Sequence, residues 1–194
     1  MRAALHILFL STLIFINNAC DKPDVYETKA KSVDSLSGAL NAMQAGLKNI
    51  DSLSLHKAVT RYNWYKEFIR QNVLDTISKQ EADILRHFYN SGEGLKSFFL
   101  NRKLILDRAE LLGVQLLNLS EDIKSRKPAK EFVHKFTEYE KKEVEMLIEA
   151  GINQQNVFHK DLEEFRNSLK GVEALIRSHN NGELPTIVKD TVQL

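Results

Sequence analysis

Apolar residues recur along most of the chain in alternating steps of three and four, the spacing that puts one stripe on one face of a helix. Val33, Leu36, Leu40, Met43, Leu47 and Ile50 are the first such run and predict a helix from about Glu27 to Ile50. Asp51 to Ser54, DSLS, interrupts it, because Asp and Ser side chains compete for backbone groups inside a helix. A second helix is expected from about Leu55 to Ile77, with Val59, Tyr62, Ile69 and Val73 on its inner face. Ser78 and Glu81 then form S-x-x-E, a capping box, ahead of a third run. From Ile84 to Ile123 the steps of four and three never fail, and only Ser91 and Arg102 on that stripe are polar. Leu85, Gly92, Phe99, Leu106 and Gly113 follow beside it at sevens, and a stripe that wide wants more than one partner helix. Arg126 and Lys127 before Pro128 mark the end of this helix. The last helix is expected from about Ala129 to His179, with Phe158, Leu162, Phe165, Leu169, Val172 and Ile176 as its stripe. Its first half, around EYEKKEVE, is more charged and less plainly striped. Asn180, Asn181 and Gly182, residues that tolerate the left-handed conformation, stop it.

The lengths imply a shape. The third helix has about 48 residues, hence about 70 Å at 1.5 Å each. The fourth is about as long, and the short turn at Pro128 makes the two antiparallel neighbours. The first two helices together match that length. The predicted fold is all-α: an elongated antiparallel helical bundle of three long helical segments, the first broken near 51–54, four helices in all. Four residues at the break permit the first two helices to run end to end or to fold back as a hairpin.

Composition agrees. The three prolines, Pro23, Pro128 and Pro185, all fall at expected boundaries, and glycine is scarce. Proline inside a helix costs about 3 kcal/mol, so their placement leaves the long helices intact. There is no internal repeat.

Met1 to Cys20, MRAALHILFLSTLIFINNAC, breaks the helical pattern. Arg2 is a short basic start, Ala3 to Ile16 is an apolar run broken only by His6, Ser11 and Thr12, and Ala19 sits directly before Cys20. Charge, a short apolar segment and a small residue is the order of a secretory signal, and the run is short for a bilayer span of about 20 residues. Cys20 is the only cysteine, so an exported chain has no internal disulfide partner for it. The stretch resembles bacterial lipoprotein signal peptides, with Asn17 where Leu is usual and Asn18 where a smaller residue is usual. The resemblance implies cleavage before Cys20 and acylation of that cysteine. It implies a membrane-anchored protein of the bacterial cell envelope, and it covers only these residues. The alternative is an ordinary cleaved signal that leaves a free thiol. In some bacteria Asp21 at this place resembles an inner-membrane retention signal; elsewhere acidic residues near the cysteine mark surface export. The domain reading is a signal peptide over 1–19, the lipidated cysteine and tether over 20–26, the bundle over 27–182 and a tail over 183–194.

Charge narrows the partners. Losing Met1 to Cys20 takes one base, Arg2, from the 27 Lys and Arg and none of the 26 Asp and Glu, so the remainder is balanced. A balanced chain has no general attraction to nucleic acid. The expected partners are the membrane, through the anchor on Cys20, and another envelope protein.

Few side chains suggest chemistry. Glu131 and His134 form E-x-x-H, a carboxylate and an imidazole one helical turn apart. Di-iron bundles use that pair twice, with a Glu from each of two other helices. Here it occurs once, with Glu138 one turn further, so a solvated patch is the simpler reading and no cofactor is implied. His159 with Asp161 and Glu163, and His87 with Asp83, are neighbours that support a helix without further purpose. Gly92-Glu93-Gly94 does not follow a strand, so it reads as a bend, a close helix crossing or a break in the third helix. Tyr62, Trp64, Tyr65, Phe68, Phe88, Phe98 and Phe99 make one region aromatic. Those on the stripe are core, whereas Trp64 lies off the seam and is the candidate partner-binding residue. The reading is a non-enzymatic lipoprotein, a tethered helical module that binds or spaces envelope components. Its alternatives are a metal-dependent helical-bundle enzyme centred on Glu131 and His134, and a periplasmic holdase.

Overall fold

The computed structural model describes residues 24–73 and 77–186. The signal stretch, Cys20 and the end of the tail lie outside them. Among the described residues four helices account for the fold: α1 Val25–Lys48, α2 Ser52–Asn72, α3 Lys79–Lys124 and α4 Lys130–Ser178. No helix among the described residues is long and apolar enough to cross a membrane.

The apolar stripes become the core. Val33, Leu40, Leu47, Val59, Phe88, Leu95, Leu112, Leu116, Ile123, Val172 and Ile176 are all buried. The first half of α4, where charges hide the pattern, continues the seam through Val133, Thr137, Val144 and Gly151, all buried. Two hydroxyl residues of the seam bond their own helix. Ser91 Oγ donates to the His87 carbonyl at 2.7 Å, and Thr137 Oγ1 to the Val133 carbonyl at 2.7 Å. These two buried hydroxyls are thereby satisfied without a partner helix, whereas Ser120 Oγ donates across to Asp34 Oδ1 of α1 at 2.6 Å. Rings fill the far half: Phe98 stacks on Phe158 at 4.6 Å and Phe88 on Phe165 at 5.4 Å.

The first segment is broken, and its two parts run end to end. α1 and α2 do not pack on one another; α1 packs on α3 and α4, and α2 mainly on α3. The hairpin alternative is thereby excluded. The break lies slightly before the expected place. α1 ends at Lys48, and Asp51 is the N-cap of α2, its carboxylate accepting from Leu53 N at 2.9 Å and Ser54 N at 3.2 Å. Ser52 to Ser54 are thus the first turn of α2, not an interruption. Asp and Ser do disfavour helix interiors, but here they start a helix. α2 also stops earlier than expected, at Asn72, and Ile77 is outside any helix.

Ser78 caps α3 as its motif predicts: Glu81 N donates to Ser78 Oγ at 3.2 Å and Ser78 N to Glu81 Oε2 at 2.6 Å. α3 is continuous through Gly92-Glu93-Gly94, so there is no break in it. A Cβ on Gly92 would overlap the Tyr62 ring. This glycine is the close helix crossing, letting α2 press its aromatic side chain onto the α3 backbone.

The α3–α4 turn closes with Arg126 in the left-handed region, φ 54°. Lys127 N donates to the Asp122 carbonyl and Arg126 N to the Ile123 carbonyl, the Schellman pattern. A non-glycine residue there costs roughly 1–2 kcal/mol. Arg126 offsets it by pairing with Asp24 and lying over the Tyr26 ring, 5.6 Å from its centroid. After α4, the tail lies against the bundle as far as Leu184, which is half-buried on the core.

Candidate functional site

The chain enters the bundle at one end. Asp24 caps α1, accepting from Tyr26 N at 3.1 Å, and Tyr26 Oη donates to the Pro128 carbonyl at 3.0 Å. The start of α1 is therefore pinned to the α3–α4 turn. Cys20, four positions before Asp24, lies outside the described residues.

Glu131 and His134 are exposed on the first turns of α4. Glu138, one turn on, is taken up by α1: Lys29 Nζ donates to its Oε1 at 3.0 Å, and that bond holds the carboxyl below its ordinary range. Among the described residues no three His, Cys, Asp or Glu side chains are grouped as a metal site needs. Trp64 is half-buried against the core, and its indole N–H is buried without a partner. His159 lies edge-on to Phe158, 5.1 Å between ring centres, and Asp161 lies under Gly94. His87 pairs with Glu164 across the outer α3–α4 groove, in an open cleft of about 480 Å³ that Ile84, Lys160 and Asn167 also line.

The aromatic region is core with polar tips. Tyr62 Oη donates to Glu93 Oε1 at 2.6 Å, and Lys66 binds the same oxygen. These bonds, Lys66 first, hold the Glu93 carboxyl low. Burial, then Glu93, pushes the Tyr62 phenol up. Tyr65 Oη donates to Glu173 at 3.0 Å, and burial first pushes its phenol up to about 12. These bonds fasten α2 to α3 and α4.

Arg102, the charged residue on the α3 stripe, spans the break. Its guanidinium donates to Ser52 Oγ at 2.9 Å and to the Lys48 carbonyl at 3.3 Å. It joins the open C-terminus of α1 to the first turn of α2, which is why a charge occupies that seam position.

Two features are not apparent in the sequence pattern. Glu140 sits on the α4 seam between Thr137 and Val144, half-buried, with Oε2 lacking any partner. Burial first, then neighbouring Glu143, raises its carboxyl. The second is a row of exposed apolar side chains: Phe132, Phe136, Tyr139 and Met146 on α4, with Leu104 and Leu111 on α3. The signal for it was a second four-three spacing, hidden among the lysines and glutamates of α4.

Among known proteins, the chain matches no family model, no curated protein and no solved structure. Fold and site together define an all-α rod, held at the end where its chain enters, with an apolar row left open on α3 and α4.

Proposed function

We propose that this chain is a lipid-anchored helical lipoprotein of the bacterial envelope, a non-enzymatic module that holds a binding surface away from the membrane. One observation carries the reading: α1 is pinned at one end of the rod through Tyr26, and its cap Asp24 lies only four residues after Cys20. Four extended residues reach about 14 Å. An acyl anchor on Cys20 would therefore hold the rod by its end and display its long faces. Acylation with more than one chain gives stable anchoring, at about 0.8 kcal/mol per buried CH₂.

Detergent phase separation of the full chain tests it. Wild type should enter the detergent phase with Cys20 carrying acyl mass, and Cys20→Ala should not be processed as a lipoprotein. Wild type in the aqueous phase with a free thiol would overturn the anchor. The metal-enzyme alternative is tested by metal analysis and His134→Ala. On the lipoprotein reading the substitution changes stability by no more than about 0.5 kcal/mol. Stoichiometric metal lost in that variant would overturn the non-enzyme reading.

A further inference from the structure

The open row on α3 and α4 is a second seam. On α4, Phe132, Phe136, Tyr139 and Met146 step by 4, 3 and 7; on α3, Leu104 and Leu111 are seven apart. These six side chains are between 47% and 66% exposed. Arg108 and Glu143, joined across the two helices at 3.2 Å, locate the seam. Leu104 and Leu111 lie one turn either side of Arg108, and Tyr139 and Met146 one turn either side of Glu143. Both rows therefore border the outer α3–α4 groove. Among the described residues, the large exposed apolar side chains of α3 begin at Leu100 and those of α4 end at Val157. The patch is thus confined to the half of these helices nearest the pinned end.

We propose that two copies of this chain pair side by side and parallel through this face, α3 of each against α4 of the other. The size is modest: residues 104–121 of α3 and 132–146 of α4 give a face of roughly 26 by 20 Å, about 520 Å² per partner, which just clears the roughly 1,000 Å² in total of a specific interface and lies at its weak, reversible end. Charge selects the direction. Beyond the apolar rows, α3 carries Asp107 and Glu121 and α4 carries Lys135 and Lys142, all exposed, with Glu149 the next exposed residue of the α4 row, past Met146. None of the four is in an ion pair among the described residues. A two-fold axis along the rod sets the acidic row of α3 against the basic row of α4 in the partner. An axis across the rod sets α3 on α3 and α4 on α4, acid on acid and base on base, which is repulsive. A bilayer is a poorer occupant, because a face with both signs of charge has no net attraction to anionic lipid. The parallel arrangement also brings both pinned ends to one side, as two tethers in one membrane require; that agreement rests on the lipoprotein reading, whereas the contact does not.

Cross-linking of the full chain in membranes tests the pairing. Asp107→Cys and Lys142→Cys, placed together in one chain, should give a disulfide-linked dimer on oxidation, and each alone should not. Adding Tyr139→Glu puts a charge in the middle of the seam and should cut the dimer at least about tenfold. At dilutions where wild type is also monomeric its thermal unfolding should match wild type, because the side chain is exposed in the single chain and only the contribution of pairing has been removed. A monomer throughout, dimers from Asp107→Cys alone, or a dimer that survives Tyr139→Glu would each overturn the proposal. So would a monomer whose labelled Tyr139→Cys is quenched by membrane-embedded quenchers, which would assign the face to the bilayer. Dimers of wild type through Cys20 would sink the anchor instead, and the 107–142 dimer in Cys20→Ala would still decide the pairing.

Discussion

Single residues show where this bundle is tight and where it is imperfect. Gly92 is the tight case, since any Cβ there meets the Tyr62 ring. Gly92→Ala should cost about 1–3 kcal/mol, the range for overpacking a core. Gly113, in the same helix, has nothing within 4 Å of an added Cβ. Gly113→Ala should instead stabilise by about 0.5–1 kcal/mol, through helix propensity alone. Denaturant unfolding of the two variants checks the opposite signs. Glu140 is the imperfect case. Its folded carboxyl is raised by burial, so the unfolded chain ionises at lower pH than the folded one. The stability this group contributes is fully present below its unfolded value, near 4.3, and is lost as pH rises through the raised folded value. Glu140→Gln should therefore be more stable than wild type at pH 7, and the difference should vanish below about pH 4. An equal gain at both values would mean that packing, not charge, drives the effect. Little of this was legible in the sequence. Gly92 was readable as a close crossing, but only the fold shows that Tyr62 is what crosses. Glu140 looked like one more surface glutamate because the charges around it conceal the seam.

At the level of helices the chain was far more legible. Unbroken steps of four and three can be satisfied by only one face of a helix, so α3 and the second half of α4 were readable nearly residue by residue. The Ser78 box and Pro128 placed two boundaries through local chemistry that no tertiary contact overrides. The break between α1 and α2 was readable as a break but not in position, because Asp51 followed by serines reads equally as an interruption or as a cap. Whether the segment ran on or turned back was not readable at all. A long-range contact settles it: Arg102 of α3 holds both sides of the break. Arg102→Met keeps the stem and removes the donors to the Lys48 carbonyl and Ser52 Oγ. It should cost on the order of 1 kcal/mol, with faster amide exchange confined to residues near the break. Exchange that quickens along the whole of α1 would show that Arg102 supports more than the joint.

The whole molecule is a rod because its helices are long and all three layers share one axis. α3 has 46 residues and α4 has 49. At 1.5 Å per residue each spans about 70 Å, while a compact domain of this size has a radius of gyration near 16 Å. A rod of that length has a radius of gyration on the order of 22 Å, by elementary geometry from the helical rise. X-ray scattering from residues 21–194 therefore separates the two shapes without needing any ligand. It also separates modes of pairing. If copies associate through the outer α3–α4 face, the scattering mass doubles while the longest dimension stays near about 70 Å, since parallel rods add width only. Association through the ends would lengthen the particle toward twice that value. The prediction is therefore a concentration series in which mass rises and length does not. Mass and length rising together would move the contact from the seam of Leu111, Tyr139 and Met146 to the ends of the helices.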